Sequence, residues 1–357
     1  NVFWTPALGG NAYDKFMLGL LVHNYAIPFN RLQYMVAPMY SFGGKRVSGI
    51  ADMSMTFLPA NHLKLSRFGV SVRSFKNDTL ARGNDGYYVT AQPYWYAKLG
   101  NRKAASPITN TLLVQTMYRL DVLGPSQLEL LGAYGKYTFD YKRPDHEINV
   151  GLRADFIANP VNGDQMSRGS AELTYRLRYL RNKRERWAEL RLFGGTFFGF
   201  DMNNSGNALN YTYSLSGASG SQDVFIEDYY FGRQDVDGIW AQQRLDNMGG
   251  FRSTSTFGTT SKWLASSNFY IQMPFGPKIF GLFADYGMFE NGLSSKVYTA
   301  FNAGIGMRLG KVFGLYFPVY MTKEMDAAYG NANYATRIRF TLKLNITNKP
   351  LNLSGIL

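Results

Sequence analysis

The chain has no cysteine, only three histidines, and no apolar run approaching the ~18 residues that a membrane-crossing helix needs. Each absence excludes something. Zero cysteine removes any disulfide framework and fits export through an oxidising periplasm. The missing long apolar run excludes a helical membrane protein, because the longest apolar stretches, 16–22 and 312–320, have the length of strands. No Pro- or Ser-rich spacer and no block of like charge divides the 357 residues, so 1–357 reads as one large domain. The net charge is +13, yet the basic residues form no tract. They alternate with apolar residues inside strand-like segments, which argues against a nucleic-acid surface.

What is present is alternation with period two, repeated along the whole chain. In 87–99, Tyr87, Val89, Ala91, Pro93, Trp95, Ala97 and Leu99 share one face, opposite Tyr88, Thr90, Gln92, Tyr94, Tyr96 and Lys98. In 147–157, Ile148, Val150, Leu152, Ala154 and Phe156 oppose a row holding Glu147, Arg153 and Asp155. In 171–179 an apolar row opposes Glu172, Thr174, Arg176 and Arg178, and in 337–346 Ile338, Phe340 and Leu342 oppose Arg337, Arg339 and Lys343. Eleven further segments behave alike: 14–24, 32–42, 46–58, 65–76, 107–120, 127–139, 187–199, 261–275, 279–289, 299–309 and 311–321. Connections split into two kinds: tight ones, such as Gly43-Gly44-Lys45, 182–185, Gly276-Pro277 and Gly310-Lys311, and two long ones, 200–258 and 322–335. If 200–258 is external, a chain starting in the periplasm needs one more outward strand, and Asn1 to Gly10 supplies it. The expectation is a closed antiparallel transmembrane β-barrel of 16 strands.

Lipid explains the pattern. In hydrocarbon every backbone N–H and C=O must be paired, so only a sheet without free edges spans it. Segments of 10 to 14 residues suit a tilted crossing better than the ~5–6 of a soluble sheet. An arginine facing lipid at mid-depth costs about 2–4 kcal/mol, so the rows holding Arg153, Arg176, Arg178, Arg337 and Arg339 face the lumen. With them stand Arg67, Arg73, Arg119, Arg191 and Arg308, and the carboxylates Glu129, Glu147, Asp155, Glu172, Glu189 and Asp285; the mixture reads as a salt-bridged, hydrated wall. Tyr34, Tyr40, Trp95, Trp187, Trp263 and Tyr298, near strand ends, suit interfacial girdles. The setting is a bacterial outer membrane, with membrane lipid and lipopolysaccharide as the surrounding partners.

Catalytic chemistry is hard to assemble from these residues. A gluzincin helix needs two histidines at i and i+4. Only His23, His62 and His146 exist, and Val150 stands where the second ligand of His146-Glu147 belongs. Three scattered histidines make no Ser–His–Asp arrangement either. Gly304, Gly306 and Gly310 have the wrong spacing for a phosphate loop and read as strand glycines that let a luminal loop approach. No catalytic, cofactor-binding or metal-ligating residue is assigned in this segment.

The C-terminal third carries MGGFRST (248–254), FYIQMPF (269–275), FADYG (283–287), GIGMRL (304–309), LYFPVY (315–320) and IRFTLKLN (338–345). This order resembles the outer-membrane insertase superfamily, in which an external loop folds into the lumen and its arginine meets the acid of a Phe-x-Asp-x-Gly strand. The resemblance implies Arg252 as the loop arginine and Asp285 as its partner, with Phe283 and Gly287 completing the strand motif. The family's Arg-Gly pair reads Arg252-Ser253 here. A likeness covering nearly the whole chain, through 6–20, 37–45, 228–235 and 249–274, is to the membrane barrel that follows an aminopeptidase-type zinc peptidase domain in Bacteroidota. It implies a catalytic domain, with its zinc, upstream of these residues.

Three functions compete on this reading. One is a membrane anchor or platform for an upstream periplasmic zinc peptidase or a partner complex. The second is an insertase working with other outer-membrane proteins or assembly machinery, which requires a seam that opens between the first and last strands; Pro6 removes one ladder donor there. The third is a diffusion pore, disfavoured by a loop long enough to plug the interior. Whether Phe225, Tyr229, Tyr230, Phe231 and Trp240 pack inward or project to a partner is open at this level.

Overall fold

The computed structural model of the chain describes residues 2–26, 30–59, 63–78, 86–100, 106–123, 126–180, 185–202, 208–292, 294–330 and 332–344. Alternation becomes one antiparallel sheet of 16 strands in chain order. They are β1 (Phe3–Asn11), β2 (Lys15–His23), β3 (Leu32–Ser41), β4 (Arg46–Phe57), β5 (Leu63–Asp78), β6 (Gly86–Leu99), β7 (Ile108–Leu123), β8 (Ser126–Lys142), β9 (His146–Ala158), β10 (Gln165–Leu180), β11 (Arg186–Asp201), β14 (Trp263–Gln272), β15 (Phe280–Glu290), β16 (Val297–Leu309), β17 (Phe313–Met321) and β18 (Arg339–Leu342). The two remaining strands, β12 (Tyr213–Ser214) and β13 (Thr259–Thr260), pair with each other inside the long connection between β11 and β14. Nine-residue β1 pairs along its full length with β2, Pro6 included, so the short first strand is real.

Register turns the arginine rows inward. On β9, Leu152 and Phe156 are 48% and 45% exposed, while Arg153 and Asp155 between them line the central cavity. Leu173, Leu190, Leu192, Phe269, Leu282 and Ile305 continue the outer apolar band on neighbouring strands. A wall that is apolar outside and charged inside, built from strands long enough to cross hydrocarbon, is a membrane β-barrel of the outer-membrane type. Among the described residues no helix is long and apolar enough to cross a membrane, which leaves the crossing to strands.

The last strand departs from expectation. Of 337–346 only Arg339–Leu342 is strand; Arg337 lies in a 3-10 turn and pairs with Asp326 at 2.7 Å, and residues 345 and 346 lie outside the described residues. Three side chains also change sides. Trp187 points into the lumen, its ring 5.0 Å from the Arg176 guanidinium and 5.3 Å from that of Arg178. Tyr298 turns inward onto Phe289, with ring centroids 5.8 Å apart. Glu129 shares the outer row with Leu131, because Leu130 is the buried residue there. In each case strand parity overrules residue type: a side chain must follow its row. Trp95, by contrast, lies outside on Phe68, and Trp263 bonds Glu290 at 2.8 Å.

Candidate functional site: a plugged lumen and its arginine clamps

Residues 208–262 of the long connection between β11 and β14 fold back into the barrel and fill its long-loop half. Leu215, Met248 and Phe251 pack against Phe193, Leu264 and Phe289 of the wall. Val224, Phe225 and Tyr211 pack against Met117, Leu130, Tyr134 and Ile157 of β7, β8 and β9. This half of the lumen is therefore filled by apolar packing between which the charged wall residues are buried; the charged wall stays open only toward the other half. Phe225 and Tyr230 are buried inside, and Trp240 lies at the seam, where it covers Phe340.

Arg252 and Asp285 meet as the resemblance implies. The guanidinium donates from Nη1 to Asp285 Oδ1 at 2.6 Å, and the Arg252 backbone N–H donates to Oδ2 at 2.7 Å. Asn268 donates to Oδ1 at 3.1 Å. Asn302, its amide nitrogen turned to the carboxylate, donates to Oδ2 at 2.8 Å and accepts from the Ser253 hydroxyl at 2.7 Å. Ser253, next to the loop arginine, is thus bonded into the site. Phe283, Tyr270 and Tyr316 form an aromatic collar, with ring centres 5.7–5.8 Å from the guanidinium carbon. Gly287 is needed for space: a Cβ there would lie 2.5 Å from Leu215 Cδ2 and 2.9 Å from the Phe251 ring. Gly306 makes room for the Tyr270 and Tyr316 rings, and Gly304 for the β17 backbone at Phe317 and for the Phe283 ring, rather than for loop backbone. Burial of both ions is offset by these converging donors, as a desolvated pair requires.

Sequence reasoning missed the other clamps. Arg73 and Gln92 donate to the carbonyls of Ile226 and Phe225, and Arg119 donates to that of Val224 at 3.0 Å, so β5, β6 and β7 hold consecutive loop carbonyls. Glu227 accepts from Arg153 at 2.5 Å and from Tyr134 at 2.8 Å. Burial pushes its carboxyl up, but Arg153 and Lys136 pull harder and leave it below the usual range. Arg191 donates to the Met248 carbonyl at 2.9 Å. Arg339 donates to the carbonyls of Phe251 and Leu245 and to Asp246 at 3.2 Å. An arginine's fork suits carbonyl capture, but no spacing rule links a strand arginine to a distant loop carbonyl.

The loop also bridges the sheet margins. Among the described residues no pairing joins β1 to β18. Instead the Ala12 N–H donates to the Phe231 carbonyl at 2.8 Å, and the Phe231 N–H donates to the Gln243 side chain at 2.8 Å. Gln242–Arg244 runs along β18, giving Arg244 N–H to the Phe340 carbonyl at 3.0 Å.

Below the plug lies a cavity of about 1300 Å³ that reaches the short-turn mouth at Gly310–Val312. Of the histidines, His146 pairs with Asp145 at 3.0 Å, His23 stacks between Phe3 and Tyr25, and His62 lies outside the described residues.

No family model and no curated protein matches the chain. Similar solved structures are CdiB from Acinetobacter baumannii and CdiB from Escherichia coli, each 10% identical with a TM-score of 0.44. Another is the copper transporter OprC, 9% identical with a TM-score of 0.36. Each alignment covers 91% of this chain but only 57%, 59% and 61%, respectively, of the similar structure's length.

Proposed function

We propose that this barrel is a plugged membrane platform that holds a periplasmic partner at the outer membrane, the partner being a zinc-peptidase domain preceding it in the chain or a separate complex. The observation that carries the reading is the plug, fastened by buried arginines from β5, β7, β9, β11 and β18 and packed into an apolar core. A lumen filled this way is a poor diffusion path, and a wall this braced is a rigid support. Reconstituted alone in liposomes, the barrel is expected to pass no small solutes and to insert no client barrel. Solute flux comparable to an open porin would reject the platform.

Insertase activity is the second reading, and the seam favours it. β18 offers a margin of only four strand residues, and its outer edge is held by the loop rather than by β1. Client folding above the lipid-only rate would select this reading over the first.

A further inference from the structure

The positive charge of this chain is not evenly spread along the barrel. At the long-loop end the plug's carboxylates are matched by arginines: Glu227 meets Arg153 of the wall at 2.5 Å, and Asp223 meets the plug's own Arg233 at 3.0 Å. At the short-turn mouth the balance tips to cations. Lys98 near the end of β6, Lys142 ending β8, Lys311 in the β16–β17 turn and Lys343 beyond β18 all line the cavity. The carboxylates at that level are already engaged. Glu147 holds Arg176 at 3.0 Å, Glu189 holds Arg308 at 2.9 Å, and Asp140 accepts from Asn149 at 2.7 Å. Asp246 holds Arg339 at 3.2 Å and only distantly meets Lys343, at 3.7 Å, while Lys311 stays 3.9 Å from Glu147 with its side chain 76% exposed. Lys98 and Lys142 have no carboxylate partner among the described residues.

We infer that this mouth is a docking site for an acidic, extended polypeptide segment of the periplasmic partner, which enters the cavity and is held by the lysine ring. The inference rests on the platform reading and supplies the chemistry of its partner. Three observations support it. Lys98 and Lys142 stand on luminal rows, and Lys311 and Lys343 line the same cavity from just beyond their strands, so all four face the opening rather than the lipid around the outer wall. The cavity is roomy, and plug residues 224–230 form part of its wall, which leaves space for a chain end or a hairpin. Tyr96 and Trp187 lie on its wall, giving apolar surface beside the charges for a peptide's other side chains. A low-dielectric funnel of one sign concentrates oppositely charged ligands and weakens with salt.

The test is fluorescence anisotropy with the purified barrel in detergent and a labelled alternating Glu-Gly decapeptide. Its Gln-Gly counterpart is the neutral control. The acidic peptide is expected to bind at least ten-fold more tightly than the neutral one, and less tightly as salt rises. Lys98→Glu, Lys142→Glu and Lys311→Glu combined should weaken it at least ten-fold. Lys262→Glu with Lys296→Glu, at the opposite end, should leave it unchanged. If the triple variant fails to show the heat-modifiable gel mobility of a folded barrel, the salt series on the native protein decides in its place. Equal binding of both peptides, equal loss in the far-end variant, or full displacement by millimolar inorganic phosphate would overturn the inference. Because the assay needs neither partner nor bilayer, a negative result here leaves the flux and client-folding tests of the platform standing, and a failure in those leaves this binding measurable.

Discussion

Arg339 of β18 donates to the carbonyl of Phe251, the residue next to Arg252, while Asp285 of β15 holds Arg252 itself. The final strand and the motif strand therefore grip adjacent residues of the plug from two directions. Withdrawing the loop requires both grips to open.

Arg252→Ala should release the grip of the motif strand. Removing one member of a buried pair costs about 3–5 kcal/mol, because the remaining ion is left unpaired. The expected result is faster proteolysis within 208–258 and a rise in single-channel conductance in planar bilayers. Arg252→Lys keeps the charge but not the fork, and should fall between the two. Conductance and proteolysis identical to the native protein would show that the pair does not hold the plug.

Gly287→Ala tests the same site through space alone. Its Cβ would press on Leu215 and Phe251, and overpacking of this kind costs about 1–3 kcal/mol. Thermal unfolding in detergent should shift down, with hydrogen exchange rising in 213–216 and 249–252 before it rises in the strands. A rise confined to the strands would place the strain in the wall instead.

Acid should loosen the plug from the Glu227 side. Its folded pKa lies below the unfolded value of ~4.3, so the stability it supplies is complete above that value and is lost as pH falls through the folded pKa. Hydrogen exchange of 223–228 should therefore increase below about pH 4 and stay flat above it. Glu227→Gln should flatten the acid limb; an unchanged limb would assign the effect to other carboxylates.

The plug can be locked to the last strand at the seam chemically, because the chain contains no cysteine of its own. Gln243 and Phe340 are bridge partners, so cysteines placed at both positions should form a disulfide under mild oxidation. Under the platform reading the oxidised barrel is functionally unchanged. If client insertion is detected and the disulfide abolishes it, the seam is the working part.

The barrel was readable from sequence because lipid imposes one rule on every strand, and that rule repeats with period two. Arg153 and Leu152 announce their faces without any knowledge of neighbours. The clamp of Arg252 and Asp285 was reachable only through a resemblance, since nothing in their spacing ties them together. Trp187 and Tyr298 misled because girdle placement was judged from residue type, whereas row parity decides it. Glu129 misled for the same reason. The grips of Arg73, Arg119 and Arg339 on loop carbonyls stayed hidden because a carbonyl has no sequence signature; only the folded path of the loop brings it near.

The central claim is that charged rows face the lumen while their immediate neighbours face lipid. Single-cysteine scanning of 147–157 with a lipid-phase quencher measures this directly. Labels at positions 148, 150, 152, 154 and 156 should be quenched, and those at 147, 149, 151, 153 and 155 should be protected. Quenching at 153 and 155 equal to that at 152 would contradict the account.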